Sequence, residues 1–327
     1  MDWLMIAVIC VAGTLGFGIR WTMDWFAQLN RDSLAKSAEL VLENPTSLSK
    51  VANPSLYSEA SKSLSLVVPA YNEESRLPST LEETLRYLQG RRDSAGANFT
   101  YEIIVVDDGS RDGTVSKAFE YTRKYGFDAV RVLRLPVNRG KGYAVKAGMM
   151  VSRGVLLLMM DADGATRVSD LGKLEAELHK LTHPDRAGTS KDSSASSRQT
   201  GDSRLGMAVG SRAHLEQQAL AKRHWLRNFL MRGFHLLVML VAGGAVRDTQ
   251  CGFKLFTREA AQLLYGNQRL QRWCFDVELL FLASRLGIPV AEVAVAWTEI
   301  PGSKIKATSI LHMLWEMGAI LDGVVPS

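Results

Sequence analysis

Two aspartates one residue apart, Asp161 and Asp163, are the strongest candidates for chemistry in this sequence. They follow an apolar run at residues 156–160, which has the length of a buried strand. Residues i and i+2 of a strand share a face, so both carboxylates are expected to project together from the strand's carboxyl end. Paired oxygen ligands of this kind suit Mg²⁺ or Mn²⁺, which often bind a diphosphate as well. A simple Asp-rich turn gives the same pattern, so the rest of the chain has to decide between the two interpretations.

Three further apolar segments also end at polar or glycine-rich residues. These segments are 64–68 before Pro69, 102–106 before Asp107 and Asp108, and 130–135 before 138–142. Helical stretches separate them, and the first is predicted to begin at Ser79, with Glu82 completing a capping box. Strands that alternate with helices of 10 to 15 residues favour a parallel sheet with right-handed crossovers. Such α/β sheets bind nucleotides at the carboxyl ends of their strands, where all these polar residues fall.

The composition narrows the class of protein. With 327 residues, 46% of them hydrophobic, the chain is long enough for one large domain or two small ones. Its net charge of +5 suits phosphate ligands or an anionic membrane surface. No run of basic residues interleaved with aromatics is present, so nucleic acid is not an expected partner. Cys10, Cys251 and Cys274 are scattered, which predicts reduced thiols rather than a disulfide framework or a zinc site.

The amino terminus predicts a membrane anchor over residues 1–27. Residues 3–19 carry no charge, and as a helix they would be roughly 25 Å long, enough for a thin bilayer. A cleaved signal peptide normally opens with a basic segment, whereas the only early charge here is Asp2. Basic residues begin at Arg20, after the apolar run. The positive-inside rule therefore places the rest of the chain in the cytosol, behind a single span.

Composition changes along the chain suggest its domain organisation. A polar linker with some helix is predicted over 28–62, followed by a catalytic domain over 63–306. Within that domain, 184–204 reads as a disordered surface insertion, and 225–246 as a helix lying in the membrane interface or in the core. Residues 307–327 are predicted to form a second amphipathic interface helix, too short and too charged to span a bilayer.

Seven motifs occur in an order that matches a known family. They are VPAYNEE at 68–74, DDGSRDGT at 107–114, NRGKGYAVKAGM at 138–149, DADGAT at 161–166, VGSR at 209–212, QCGFKLF at 250–256 and FDVE at 275–278. With these motifs the chain resembles the family 2 glycosyltransferases of GT-A fold, over roughly residues 64–306 apart from the insertion. It is most similar to the dolichyl-phosphate β-glucosyltransferases, with the dolichyl-phosphate mannose synthases next. Ala165 stands where the mannose synthases usually show Gln, which favours the glucosyl branch.

The resemblance implies a role for each candidate residue. The residues expected to hold the UDP-glucose donor are Pro69, Tyr71, Glu73, Asp107, Asp108, Lys141, Asp161 and Lys304. Asp161 and Asp163 would bind Mg²⁺ or Mn²⁺ across the UDP diphosphate. Arg212 and Arg232 would bind the lipid phosphate, since Arg pairs well with phosphate oxygens. Asp276 would face the acceptor, so Asp163 and Asp276 are the catalytic candidates.

The implied activity is inverting transfer of glucose from UDP-glucose to dolichyl phosphate. The product, dolichyl β-D-glucosyl phosphate, would serve lipid-linked oligosaccharide synthesis and N-glycosylation. The implied location is the endoplasmic reticulum membrane, with the anchor and the interface helices in contact with membrane lipid and the catalytic domain facing the cytosol. The choice between Mg²⁺ and Mn²⁺, and between a monomer and a homo-oligomer, stays open.

Three alternatives remain at this point. The first is the same chemistry with GDP-mannose as donor. The second is a processive polysaccharide synthase, but Gln268 is one residue too far from Arg272 and Trp273 to make the Q-x-x-R-W motif of that class. The third is an inactive membrane scaffold of the same fold. The intact carboxylates of Asp161 and Asp163 argue against it.

Overall fold

The computed structural model describes residues 41–43, 50–51, 53–183, 205–213 and 246–300, together with Met313 and Glu316. The predicted anchor at 1–27 and insertion at 184–204 lie outside these residues, as do Arg232 and Lys304. The predicted interface helices at 225–246 and 307–327 are likewise outside, apart from Val246, Met313 and Glu316. Within the described part of the chain, no helix has the length and apolarity needed to cross a bilayer.

The described residues form nine strands and six α-helices. The strands are β1 (Val41–Glu43), β2 (Lys50–Val51), β3 (Lys62–Ala70), β4 (Tyr101–Asp107), β5 (Val130–Arg134), β6 (Gly154–Met159), β7 (Met207–Ser211), β8 (Lys254–Thr257) and β9 (Val290–Ala294). The helices are α1 (Leu77–Ala95), α2 (Thr114–Tyr125), α3 (Lys141–Met150), α4 (Leu171–Thr182), α5 (Arg258–Asn267) and α6 (Phe275–Arg285). The four strands predicted from the alternating pattern are thus present, each followed by a helix.

The strands form one sheet in the order β2-β1-β5-β4-β3-β6-β8-β7-β9. Its centre, β5-β4-β3-β6, is parallel, as the alternation of strands and helices predicts. Strand β8 runs antiparallel to both of its neighbours, β6 and β7. This reversal places the start of β8 beside the carboxyl end of β6, where Lys254 lies opposite Met159.

Apolar side chains cover both faces of the sheet. Along β3, Val67 belongs to one core with residues of α3, α5 and α6, whereas Leu66 and Val68 belong to the other with residues of α1, α2 and α4. Successive strand residues point to opposite faces, so a strand buried on both faces must be apolar throughout. The sheet and the helical layers on its two faces therefore fix the positions of the carboxyl ends of β3, β4 and β6.

The structure departs from the sequence predictions at the amino-terminal side of the domain. Part of the predicted linker at 28–62 forms β1 and β2, and Leu42 of β1 is buried in the core. The capping box predicted at Ser79 is wrong, because α1 begins at Leu77, with Arg76 as its N-cap residue. A proline in the first turn is preorganised for a helix, which accounts for the earlier start.

Candidate active site

A cavity of about 560 Å³ opens at the carboxyl ends of β3, β4 and β6. Most of the residues predicted from the motifs line it together. These are Pro69, Tyr71, Glu73, Asp108, Lys141, Asp161, Asp163, Arg212 and Asp276. Their convergence on one cavity follows from the parallel strands, which deliver their terminal residues to the same edge.

Asp161 and Asp163 follow β6 and lie at the wall of this cavity. Lys141, the first residue of α3, contacts Asp161 with its Nζ 2.6 Å from Oδ1. Burial alone would raise the pKa of Asp161, but the Lys141 ammonium outweighs it and holds that pKa below its usual value. The pKa of Asp163 is raised by burial and by the neighbouring Asp161 charge. The pair therefore carries one firmly ionised carboxylate and one that binds protons more readily.

Gly252, just before β8, lies against the Asp161 carboxylate. A Cβ at this position would collide with both carboxylate oxygens, so only glycine allows the close approach. The two aspartates supply oxygen donors of the type that Mg²⁺ and Mn²⁺ prefer. Among the described residues no group of three or more His, Cys, Asp or Glu side chains could hold a metal by itself. The donor set thus fits an ion that takes its other ligands from a bound diphosphate or water.

The exits of β3 and β4 form the second part of the cavity. Glu73 is paired with Arg76 at 2.6 Å, and its N–H donates to Thr114 Oγ1 at 2.7 Å. Asp107 accepts the Ser110 N–H and is not among the described residues that line the cavity. Its neighbour Asp108 does line the cavity. Of these two neighbouring aspartates, both predicted to hold UDP-glucose, Asp108 is therefore the one that faces the cavity.

Asp108 also organises the loop that leads into α3. Its carboxylate accepts the N–H groups of Arg139 at 2.7 Å and Gly140 at 2.9 Å. Burial raises the pKa of Asp108 to about 6. Gly140 has a φ of 103°, a conformation that favours glycine. This turn places Lys141 at the start of α3, within reach of Asp161.

Arg212 and Asp276 also line the cavity. Arg212 makes a bidentate pair with Asp248, with Nε–Oδ2 at 2.7 Å and Nη2–Oδ1 at 2.9 Å, and its guanidinium lies 5.3 Å from the ring centroid of Trp297. Asp276, in the first turn of α6, is paired with the fully buried Lys254 of β8. One cavity thus brings together two carboxylates and a lysine, an oriented guanidinium and the buried Asp276 carboxylate.

Comparison with known proteins places this arrangement in a family. The model for glycosyl transferase family 2 matches residues 65–264. The chain is 51% identical to the dolichyl-phosphate beta-glucosyltransferase of Drosophila melanogaster, over 83% of this chain and 77% of that protein. The chain belongs to glycosyl transferase family 2. Within it, the chain groups with the dolichyl-phosphate beta-glucosyltransferases.

Two further relatives of this glycosyltransferase carry the same name. The protein of Homo sapiens is 50% identical over 77% of this chain and 72% of its own length. That of Saccharomyces cerevisiae is 37% identical over 79% of this chain and 77% of its own length.

Solved structures show the fold of this family 2 enzyme independently. Glucosyl-3-phosphoglycerate synthase from Mycobacterium tuberculosis in complex with UDP matches with a TM-score of 0.53 and 18% identity, over 82% of each chain. The same synthase in complex with Mn²⁺, UDP-glucose and phosphoglyceric acid matches with a TM-score of 0.51 and 18% identity, again over 82% of each chain. The likeness shows a GT-A-like α/β fold, as the motifs predicted.

Sequence reasoning did not single out four residues of this glycosyltransferase's cavity region, namely Arg76, Asp248, Lys254 and Trp297. Lys254 lies in the QCGFKLF motif, and a lone lysine in an apolar strand was a signal that it has a buried partner. Trp297 is brought to the cavity by a bridge to Thr166 and by the Thr298 N–H, which donates to Ala165 O at 2.9 Å. These contacts join segments remote in sequence, so local patterns carry little trace of them.

Proposed function

We propose that this enzyme transfers glucose from UDP-glucose to dolichyl phosphate with inversion, giving dolichyl β-D-glucosyl phosphate. One observation carries the proposal: a chain about half identical to named dolichyl-phosphate beta-glucosyltransferases brings Asp161, Lys141 and Asp276 to one cavity. The solved relatives that bind UDP or UDP-glucose with Mn²⁺ support the choice of donor. The names of the curated relatives support the acceptor.

The residues of the cavity suit a direct displacement. An oxygen of the acceptor phosphate, already anionic at neutral pH, forms a bond to the anomeric carbon. The bond from that carbon to UDP breaks, and its electron pair leaves with the diphosphate. Asp276 orients the acceptor rather than removing a proton, because the phosphate needs no base. Positioning of the two substrates is then the main source of rate.

The charges are placed to hold both phosphate groups. Lys141 would contact the donor diphosphate beside Asp161, and the guanidinium of Arg212 would face the lipid phosphate in an orientation fixed by Asp248. Mg²⁺ or Mn²⁺ bound by Asp161 and Asp163 would neutralise the charge that develops on departing UDP.

A membrane location completes the proposal, because the acceptor is a lipid. The enzyme would lie at the endoplasmic reticulum membrane, held by a single anchor at 1–27, with the catalytic domain over 63–306 in the cytosol. The helices predicted at 225–246 and 307–327 would contact membrane lipid near Arg212 and Asp276, which form the proposed acceptor side of the cavity. This arrangement brings the phosphate of a membrane-bound acceptor to the cavity while UDP-glucose enters from solution.

The deciding experiment uses purified full-length enzyme, dolichyl phosphate and Mg²⁺ with radiolabelled UDP-glucose or GDP-mannose. We expect label in the organic phase from UDP-glucose alone. Label from GDP-mannose alone would overturn the donor but leave the fold and the reaction type. No label from either, with UDP still bound in calorimetry, would contradict the proposed acceptor and revive the scaffold alternative.

A further inference from the structure

Two residues near the carboxyl terminus, Met313 and Glu316, pack against the start of α6. The backbone N–H of Cys274, the N-cap residue of α6, donates to Glu316 Oε2 at 3.1 Å. The Cys274 thiol donates to the backbone oxygen of Met313 at 3.3 Å. Glu316 is only 2% exposed, so its carboxylate is shielded from solvent at this end of the helix.

Glu316 accepts the hydrogen bond that, in a capping box, is accepted by a residue of the helix itself. In a capping box, Glu or Gln at the third helical position accepts the N–H of the N-cap residue. The third residue of α6 is Val277, which cannot accept a hydrogen bond, and Cys274 makes no side-chain cap. Glu316 supplies the missing acceptor from 42 positions along the chain. A carboxylate there also lies at the favourable end of the helix dipole.

The helix held in this way carries Asp276 two positions after Cys274. The direction in which α6 begins therefore determines where the Asp276 carboxylate stands. Met313 lines the same cavity as Asp276, so this residue contacts both the site and the helix end. Both contacts lie on the proposed acceptor side.

The start of α6 is also joined to the start of α3. Glu278 accepts the N–H groups of Arg269 and Leu270 at 2.9 and 2.8 Å, which fixes the loop before α6. The next two carbonyls of that loop accept N–H groups from the first turn of α3, at Gly142 and Tyr143. The loop before α6 is thus held by α3 as well as by Glu278, so loss of the Glu316 contact is expected to move the first turn of α6 and to leave Lys141 in place.

We propose that Glu316 is a positioning residue for glucosyl transfer. By holding the N-cap residue of α6, Glu316 sets the position of Asp276 and so contributes to the acceptor part of the active site from outside the helix. The inference rests on the proposed function for its kinetic readout. If Glu316 merely filled space, its replacement would lower stability but would not lower kcat while leaving UDP affinity unchanged.

The test compares Glu316→Ala with Glu316→Gln in the full-length enzyme, with Glu83→Ala and Glu83→Gln as matched controls at an exposed position of α1. Misplaced catalytic groups cost rate, so we expect Glu316→Ala to lower kcat on the order of 10- to 100-fold. Affinity for UDP should stay within about twofold, because its proposed site is built on β3, β4 and β6, and the loop that places Lys141 is held by Asp108. Gln keeps an acceptor oxygen and should restore most of kcat.

A second readout does not depend on the acceptor. Peptide-resolved alkylation by iodoacetamide should be faster at Cys274 in Glu316→Ala than in wild type, with Cys251 unchanged as an internal control. Burial and the nearby Glu316 carboxylate both raise the pKa of the Cys274 thiol, so removing the carboxylate favours the reactive thiolate. A wild-type rate of alkylation in Glu316→Ala would contradict the proposed cap.

The other outcomes are equally decisive. Unchanged kcat in Glu316→Ala, a Gln variant as slow as the Ala variant, or parallel loss of UDP affinity and kcat would each overturn the positioning role. A wild-type enzyme that glucosylates no dolichyl phosphate would instead refute the proposed function. The alkylation result would still show whether Glu316 holds the start of α6, so the two failures are distinguishable.

Discussion

The Lys254 ammonium and the Asp276 carboxylate form a buried ion pair that joins β8 to the first turn of α6. Burial raises the pKa of Asp276, and Lys254 is the main group that opposes this rise. Lys254 also donates to the backbone oxygen of Cys251 at 2.6 Å, so its ammonium is held from two sides. Lys254 thus limits the rise in the pKa of Asp276 at the cavity wall.

Replacing Lys254 by Met should disable the enzyme mainly at low pH. Without the ammonium, burial is less opposed and the pKa of Asp276 rises further, so a larger fraction of the carboxyl is protonated at a given pH. We expect kcat to fall about tenfold or more, with the acid limb of its pH profile moved to higher pH. The measurement is kcat between pH 5.5 and 9, at about one-unit steps. An acid limb that stays in place would contradict the role of Lys254.

Asp276→Asn alone should slow turnover without weakening UDP affinity, which calorimetry checks.

A double variant separates charge from packing at the same pair. Removing one partner of a buried pair costs about 3–5 kcal/mol of stability, because an unpaired charge remains. Lys254→Met combined with Asp276→Asn should therefore resist urea better than Lys254→Met alone. Additive losses of stability would mean that the two side chains are energetically independent.

Asp163→Ala should abolish turnover, since half of the proposed metal ligation is lost. Asp93→Ala, at an exposed position of α1, is the matched control and should keep wild-type activity. Calorimetry of Mn²⁺ binding in the presence of UDP gives an independent readout. Because the pKa of Asp163 is raised, protons compete with the metal, and affinity should weaken as the pH falls towards that pKa. Retained activity in Asp163→Ala would exclude the metal assignment.

Gly252→Ala should damage the site without unfolding the protein. The added methyl group would push Asp161 away from Lys141, so we expect at least about a tenfold loss of kcat. Gly90→Ala is the control: nothing lies within 4 Å of its Cβ position in α1, and it should stabilise the fold by roughly 0.5–1 kcal/mol. Thermal unfolding and kcat are measured for both. Equal activity of the two variants would show that Asp161 tolerates displacement.

The stability of the ligand-free protein should fall as the pH rises from 4.5 to 7. Burial raises the pKa of Glu278 from 4.5 to about 7, so the folded state binds more protons than the unfolded state across this window. One such group contributes at most about 1.4 kcal/mol per pH unit. Urea unfolding of Glu278→Gln should show a shallower pH dependence than wild type. Glu83→Gln is the exposed control, and curves that match for all three proteins would contradict the prediction.

The donor side of the site was predictable from the sequence because its parts are local. Each motif directly follows a strand, and parallel strands bring their ends together, so Asp161, Asp163 and Lys141 could be placed near one another in advance. Even there the sequence did not separate Asp107, which turns to Ser110, from Asp108, which lines the cavity. Neighbouring residues of a strand end point in different directions, and only the packed sheet decides which one faces the ligand.

The acceptor side was less predictable because its contacts join distant segments. The motif containing Gly252 and Lys254 was recognised, but nothing local indicates that β8 runs antiparallel between β6 and β7. Arg212, which was predicted to bind the lipid phosphate, lines the cavity, whereas its bidentate partner Asp248 was not foreseen. The strand β1 was missed for the same reason, since its three residues form a strand by pairing with β5 and β2 rather than through a local pattern.

The position of β8 also bears on how the chain is made. Leu156 of β6 pairs with Thr257 of β8, 101 residues later, so β6 has one unpaired edge until β8 leaves the ribosome. An apolar strand with open backbone groups is a template for wrong pairing with other chains. At about 5–20 residues per second, synthesis of the intervening chain leaves that edge open for roughly 5–20 seconds. This interval is a stage at which the nascent protein is prone to aggregate, and at which a chaperone that covers β6 would raise the yield of folded enzyme.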